Sequence, residues 1–208
     1  MFSLQTIFGK GDKFYGLLEQ SAEQACISAR ALNDMVTGKE AKGLPAFSAS
    51  HQREKEIAAA ISEELVNTFV TALDREDIEE LSSALYKVPK TIQKFAERYV
   101  LAHERLGDIN FSQRSGLLVS ATDAVAEMVG ELRHGLHLSR MKKIQDRLQA
   151  IEAEADRLLL EPYRAFYLES TDVMRTMLAK DLFELIEKAI DKCRDVGNVV
   201  YGIVLKNS

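Results

Sequence analysis

The sequence predicts an all-α protein, six long helices in an elongated antiparallel bundle, and three observations carry that prediction. Apolar residues recur at three- and four-residue spacing along almost the whole chain, and no stretch sustains the period-two alternation of a half-buried strand. Only three prolines and 11 glycines punctuate 208 residues, whereas a sandwich or barrel needs a turn roughly every 8–12 residues. With 46% hydrophobic and 28% charged residues, the chain is too apolar for disorder and too charged for a membrane bundle.

Each element follows from its own seam. Asp12 is a candidate N-cap for a first helix carrying Phe14, Leu17, Leu18, Ala22, Ala25, Ala29 and Leu32. Thr37 to Phe47, with Gly38, Gly43 and Pro45, reads as a loop. A second helix covers about Ser48 to Leu73 on Ile57, Ile61, Leu65, Phe69 and Val70. Asp74 caps a third, through Leu81, Leu85, Val88, Ile92 and Phe95, which Pro89 is expected to kink because it removes one backbone bond. After a break at Gly107 to Ser112, with Ser112 as N-cap, the fourth helix holds Leu117, Leu118, Val125, Met128, Val129 and Leu132 and falters near Gly135. The fifth steps through Met141, Ile144, Leu148, Ile151, Ala155 and Leu158, and Pro162 is expected to bend or interrupt it. The sixth runs from about Thr171 to Leu205 on Leu182, Ile186, Ala189, Cys193, Val196, Val200 and Ile203.

Composition and motifs exclude several function classes. No run approaches the roughly 18 apolar residues of a membrane span. The start lacks the charged region and long apolar stretch of a secretory signal, so a cytoplasmic location is expected. Cys26 and Cys193 stand far apart and form neither a disulfide framework nor a zinc site. A net charge of -5 leaves no basic footprint for nucleic acid. No phosphate-binding glycine loop, dinucleotide fingerprint, zinc-protease helix or serine-hydrolase elbow is present. His134 and His137 are one turn apart but lack a third ligand, and His51 and His103 stand alone.

The organised feature is acidic. Glu152 and Asp156 are four apart on the fifth helix, as are Glu187, Asp191 and Asp195 on the sixth. Carboxylates at that spacing share a face and can grip one hard cation, and five converge if the two faces meet. With 32 acids in 208 residues, however, about five such pairs arise at random. The three on the sixth helix also fall opposite its apolar seam, where acids are ordinarily solvated.

The words around these acids add more. Glu-Ala-Glu-Ala-Asp at 152–156 and Leu-Ile-Glu-Lys-Ala-Ile-Asp-Lys-Cys-Arg-Asp-Val at 185–196 resemble the second signature of the PhoU-like phosphate-transport regulators, nearest the DUF47 group of Pit accessory proteins. Asp-Lys-Phe-Tyr-Gly-Leu-Leu-Glu at 12–19, Thr-Phe-Val-Thr-Ala-Leu-Asp-Arg-Glu-Asp-Ile at 68–78 and Val-Val-Tyr-Gly-Ile-Val-Leu-Lys at 199–206 fit in order. The resemblance implies one PhoU-like domain over 1–208, built from two three-helix repeats at about 12–105 and 112–206. It implies Glu-x-x-x-Asp carboxylates holding a surface multinuclear cluster of iron or another divalent metal, here Glu152, Asp156, Glu187, Asp191 and Asp195. It also implies a non-catalytic role beside a Pit-type inorganic phosphate transporter, peripheral at the inner face of the membrane, with self-association into a homo-oligomer left open.

The first repeat departs from that pattern. His51 and Lys55 stand where the resemblance calls for acids on the second helix, and Tyr86, Lys87 and Lys90 stand for the acids of the third. An ammonium repels a hard cation, so metal is not expected there. Lys55, Lys87 and Lys90 are instead expected to hold neighbouring acids such as Glu54. Two further readings remain: a helical scaffold that has lost metal altogether, and a carboxylate-bridged di-metal enzyme or storage bundle. The latter would want inward-facing Glu-x-x-His pairs, and the seams hold none.

Overall fold

The computed structural model describes residues 4–39, 44–135, 137–168 and 172–207. Among them are six α-helices and no strand: α1 (Leu4–Thr37), α2 (Leu44–Asn67), α3 (Arg75–Leu106), α4 (Ser112–Glu131), α5 (Leu138–Leu168) and α6 (Val173–Lys206), with a 3-10 turn at Leu132–His134. The all-α expectation is met. Helices α1, α2 and α3 pack on one another, as do α4, α5 and α6, and the two triplets join through α1 against α4 and α3 against α6.

The boundaries differ from expectation where tertiary contacts intervene. Asp12 lies inside α1 rather than at its N-cap position, since the helix already begins at Leu4. Pro45 falls in the first turn of α2, where its missing N–H has no helical partner to lose. Gly43 and Thr171 lie outside the described residues. Helix α2 stops at Asn67 rather than Leu73 because Arg75 reaches back and donates to the carbonyls of Leu65 and Thr68 (2.8 Å for the latter), closing the helix end. Phe69 and Val70 therefore leave the helical seam and stand exposed, at 104% and 59%. At the start of α4 Phe111 holds the N-cap position and Ser112 is the first helical residue, whose amide donates to Asn110 Oδ1 at 2.8 Å. Helices α3 and α5 continue through Pro89 and Pro162.

The remaining seams are buried as read, including Leu182, Ile186, Ala189, Cys193, Val196, Val200 and Ile203 on α6, except that Leu17, Leu117 and Ile151 are only half-buried. Helix α1 meets α4 through small residues: Ala22, Ala25, Cys26 and Ala29 on one side, Ala121 and Ala124 on the other, all buried. The Cys26 thiol donates to the Thr122 carbonyl at 3.4 Å, and Arg30 pairs with Asp123 at 2.8 Å beside it. Burial pushes the Cys26 thiol up to about 11 and Cys193 higher still, so neither is a ready thiolate.

Phe111, in the link between the two triplets, ties them together. Its ring meets Phe95 edge-on at 5.7 Å, Tyr99 at 5.8 Å and Phe183 at 4.8 Å, so one side chain bridges α3 and α6. The Arg114 guanidinium lies 4.2 Å over Phe183 and donates to the Leu158 carbonyl, extending the contact to α4 and α5. Gly107, at φ +61, lets the chain leave α3, and the Leu106 carbonyl there is capped by Arg175 of α6 at 3.1 Å. Replacing Phe111 by Ala opens a cavity at this junction and is expected to cost about 3–5 kcal/mol. Urea unfolding followed by circular dichroism measures it, and a loss within error of zero would show that the junction does not couple the triplets.

Candidate functional site between α5 and α6

The structure brings all five sequence-predicted carboxylates into one neighbourhood, on the groove between α5 and α6. Asp156 is exposed, but the three acids of α6, read as solvated opposite its seam, and Glu152 of α5 are partly withdrawn from solvent. The side chains of Glu152, Asp191 and Asp195 are only 19%, 29% and 39% exposed, because α5 packs along that flank of α6.

At the centre is Arg194, a residue the spacing of acids did not single out. Its Nη1 pairs with Glu152 Oε1 across the helices and with Asp191 Oδ1 at 3.0 Å, while Nη2 lies 3.5 Å from Asp195 Oδ1. Lys192 takes the other Asp195 oxygen at 2.6 Å. Burial disfavours the Arg194 cation, yet the carboxylates of Asp191, Glu152 and Asp195 outweigh that and hold its pKa above the ordinary value. A sequence signal for it existed: Arg194 stands one helical turn after Asp191 and next to Asp195.

Glu187 and Asp156 fall outside Arg194's direct pairs. Burial, then the negative charges of Asp191 and Asp156 and a hydrogen bond with Asp191, push the Glu187 carboxyl up to about 7, and Arg194 only partly opposes this. Three acids thus press together with incomplete compensation. Among the described residues no group of three His, Cys, Asp or Glu side chains is arranged to hold a metal ion.

The corresponding groove of the first triplet, between α2 and α3, is built differently. His51 Nδ1 is 2.6 Å from Gln93 Oε1, and His51 Nε2 is 3.2 Å from the Tyr86 hydroxyl. Burial lowers the His51 pKa, the Gln93 hydrogen bond opposes it, and the positive charges of Lys55 and Lys90 lower it further. The Lys90 ammonium lies 5.3 Å from the centre of the Tyr86 ring. Lys55, Lys87 and Lys90 are all exposed.

The expectation that these lysines hold Glu54 is overturned. Neighbours on a helix diverge by about 100°, and Glu54 turns inward, where it is fully buried and accepts a 2.5 Å hydrogen bond from Ser21 of α1. Burial raises its carboxyl to about 7, against that hydrogen bond. His134 and His137 both lie exposed near the α4–α5 link.

No protein-family model matches the chain. Among curated proteins it is 22% identical over 201 residues to the "Putative pit accessory protein" of Rhizobium meliloti (strain 1021), covering 94% of each chain. It is 24% identical over 148 residues, 70% of each chain, to the "UPF0111 protein YkaA" of Bacillus subtilis (strain 168). Two solved structures from Shewanella oneidensis MR-1, a "putative PhoU-like phosphate regulatory protein" and a "phou-like protein", superpose with TM-scores of 0.75 and 0.76. Each shares 16% identity and is matched over 95% of this chain and 99% of its own. The fold is therefore that of the PhoU-like proteins. The resemblance to Pit accessory proteins carried by the sequence words is met again across nearly the full length.

The electrostatics of the α5–α6 groove have a measurable consequence. Glu187 titrates near 7 when folded and near 4.5 otherwise, so its contribution to stability is fully present below about pH 4.5 and is lost as the pH rises through 7. Glu54 acts with the same sign. In Glu187→Gln this loss is expected to flatten. In Arg194→Gln it is expected to steepen and move to higher pH, because the one cation opposing the Glu187 shift is gone. Urea midpoints at pH 5.5 and pH 8 decide this, and parallel curves for wild type and both variants would refute the assignment.

Proposed function

We propose that this protein is a non-catalytic accessory regulator of inorganic phosphate transport, acting on a Pit-type transporter at the cytoplasmic face of the membrane. The observation that carries the reading is the match over 94% of both chains to a protein named as a Pit accessory protein, on a PhoU-like fold. No helix among the described residues is long and apolar enough to cross a membrane, so the protein would meet the transporter as a peripheral partner. Its action would be mechanical: a helical surface docks and biases the transporter. Deleting the gene is expected to change phosphate uptake in cells carrying the Pit-type transporter and to leave uptake unchanged in cells lacking it. The protein is expected to co-purify with that transporter from solubilised membranes. Unchanged uptake together with no co-purification would overturn the reading.

A divalent cation, iron or another, at the α5–α6 groove belongs to this proposal. Asp156, Glu187 and Asp191 supply hard oxygen donors, and of the burial and like charge that together keep a proton on Glu187, such an ion would relieve the like charge. Glu152 and Asp195 extend the same donor set. Bound there, the ion would cross-link α5 to α6 and stiffen the surface offered to the partner. The pairing of Arg194 with Glu152, Asp191 and Asp195 favours a second reading, a metal-free scaffold in which an arginine supplies the compensating charge. Elemental analysis of protein purified without chelator or nickel resin separates them. Stoichiometric metal that disappears in Asp191→Ala/Asp195→Ala supports the cation site, and its absence from wild type leaves the scaffold.

A further inference from the structure

The two outer grooves of the bundle carry opposite charge. Where α5 and α6 present carboxylates, α2 and α3 present Lys55, Lys87 and Lys90, none of which is ion-paired among the described residues. Lys55 and Lys90 come from different helices yet both act on the His51 ring, and Lys90 stands over Tyr86, whose hydroxyl meets His51. Two ammonium groups, from Lys55 and Lys90, thus flank one tyrosine–histidine pair, and Lys87 follows Tyr86 on the same helix. The acid nearest in effect, Glu97, is weak at His51 and already accepts from the Gln93 amide at 2.7 Å.

From Tyr86 a groove of about 280 Å³ continues between the helices, lined by Ala58, Ser62, Leu65, Ser82 and Ser83 and ending at Glu79. The Ser82 and Ser83 hydroxyls are donors of the kind that phosphate oxygens accept, whereas Ser62 already donates to the Ala58 carbonyl and the Tyr86 hydroxyl to His51 Nε2, and lysine is a point-charge phosphate binder. The patch is too small, and the whole chain at -5 too acidic, to hold a nucleic-acid backbone. We propose that the α2–α3 face binds a single phosphate group, held by Lys55 and Lys90 beside the Tyr86 hydroxyl, with Lys87 adding to the positive field. The inference goes beyond the accessory role and does not depend on it: binding is read on purified protein and uptake in cells, so failure of either leaves the other standing.

The phosphate group can be free inorganic phosphate or a lipid headgroup, and two probes separate these sources. In the first, the full chain is titrated with inorganic phosphate at constant ionic strength, with chloride as the exchanged ion, and the His51 ring is followed by NMR. Saturable shifts are expected, and the His51 pKa should rise, since an anion would offset the two lysines that lower it. Lys55→Gln/Lys90→Gln is expected to weaken binding at least about tenfold. Both lysines are exposed, so the fold should persist by circular dichroism, and Lys143→Gln on the exposed face of α5 should bind as wild type. In the second, the protein is floated with vesicles containing phosphatidic acid. Lysine-dependent flotation without a response to free phosphate assigns the site to a headgroup and supports it. No binding of either probe, or binding that the double variant retains in full, overturns the proposal.

Discussion

Everything in this fold depends on the fact that each helix has one apolar stripe and cannot bury it alone. Three helices bury part of their stripes within a triplet, and the rest must be closed by the other triplet, α1 against α4 and α3 against α6. Small residues along α1 and α4 allow close approach there, and Phe111 fills the junction where the two halves meet. Isolated amphipathic helices of this kind gain most of their stability from such packing rather than from propensity. The link residue Phe111 therefore matters more than its place outside regular helix suggests, and Arg175 of α6 secures the same junction by capping the Leu106 carbonyl.

Closing the apolar stripes inward leaves two outer grooves, and their chemistry is inverted. Between α5 and α6, Glu187 resists losing its proton because burial and neighbouring acids disfavour the anion. Between α2 and α3, His51 resists gaining one because burial and neighbouring lysines disfavour the cation. In both, the fold collects charge of one sign; the carboxylates between α5 and α6 are partly withdrawn from solvent, where charge is felt more strongly, whereas the lysines of the other groove stay exposed around a half-buried His51. One groove is partly neutralised from within by Arg194 and Lys192. The other has no such internal partner among the described residues, which makes it the natural recipient of an external anion.

Most of the helical architecture was legible from periodicity alone, and the long seam of α6 was read residue for residue. The end of α2 was not. Phe69 and Val70 continue the three-four spacing, but Arg75 consumes the last carbonyls of that helix and turns the chain outward. Asp12 has the chemistry of a cap but lies inside α1. Local signals of this kind are weak, and a side chain from the next element outweighs them. The five carboxylates were also legible, as were the cationic replacements in the first triplet. Their environments were not, since burial of Glu54 against α1 and the placement of Arg194 depend on which helix lies alongside.

By itself the sequence determined that the chain is helical, how many helices it forms, which stripe of each is apolar, and which words it shares with PhoU-like proteins. These properties live in spacing, and spacing is carried by neighbours along the chain. The tertiary structure alone decided which polar groups meet: that Glu152 of α5 faces Arg194 of α6, that His51 of α2 reaches Tyr86 of α3, and that Glu54 is sealed away from Lys55. Those outcomes turn on the relative rotation of packed helices. A helix shifted by one residue presents a face about 100° away, and only the closing of the core selects among such faces.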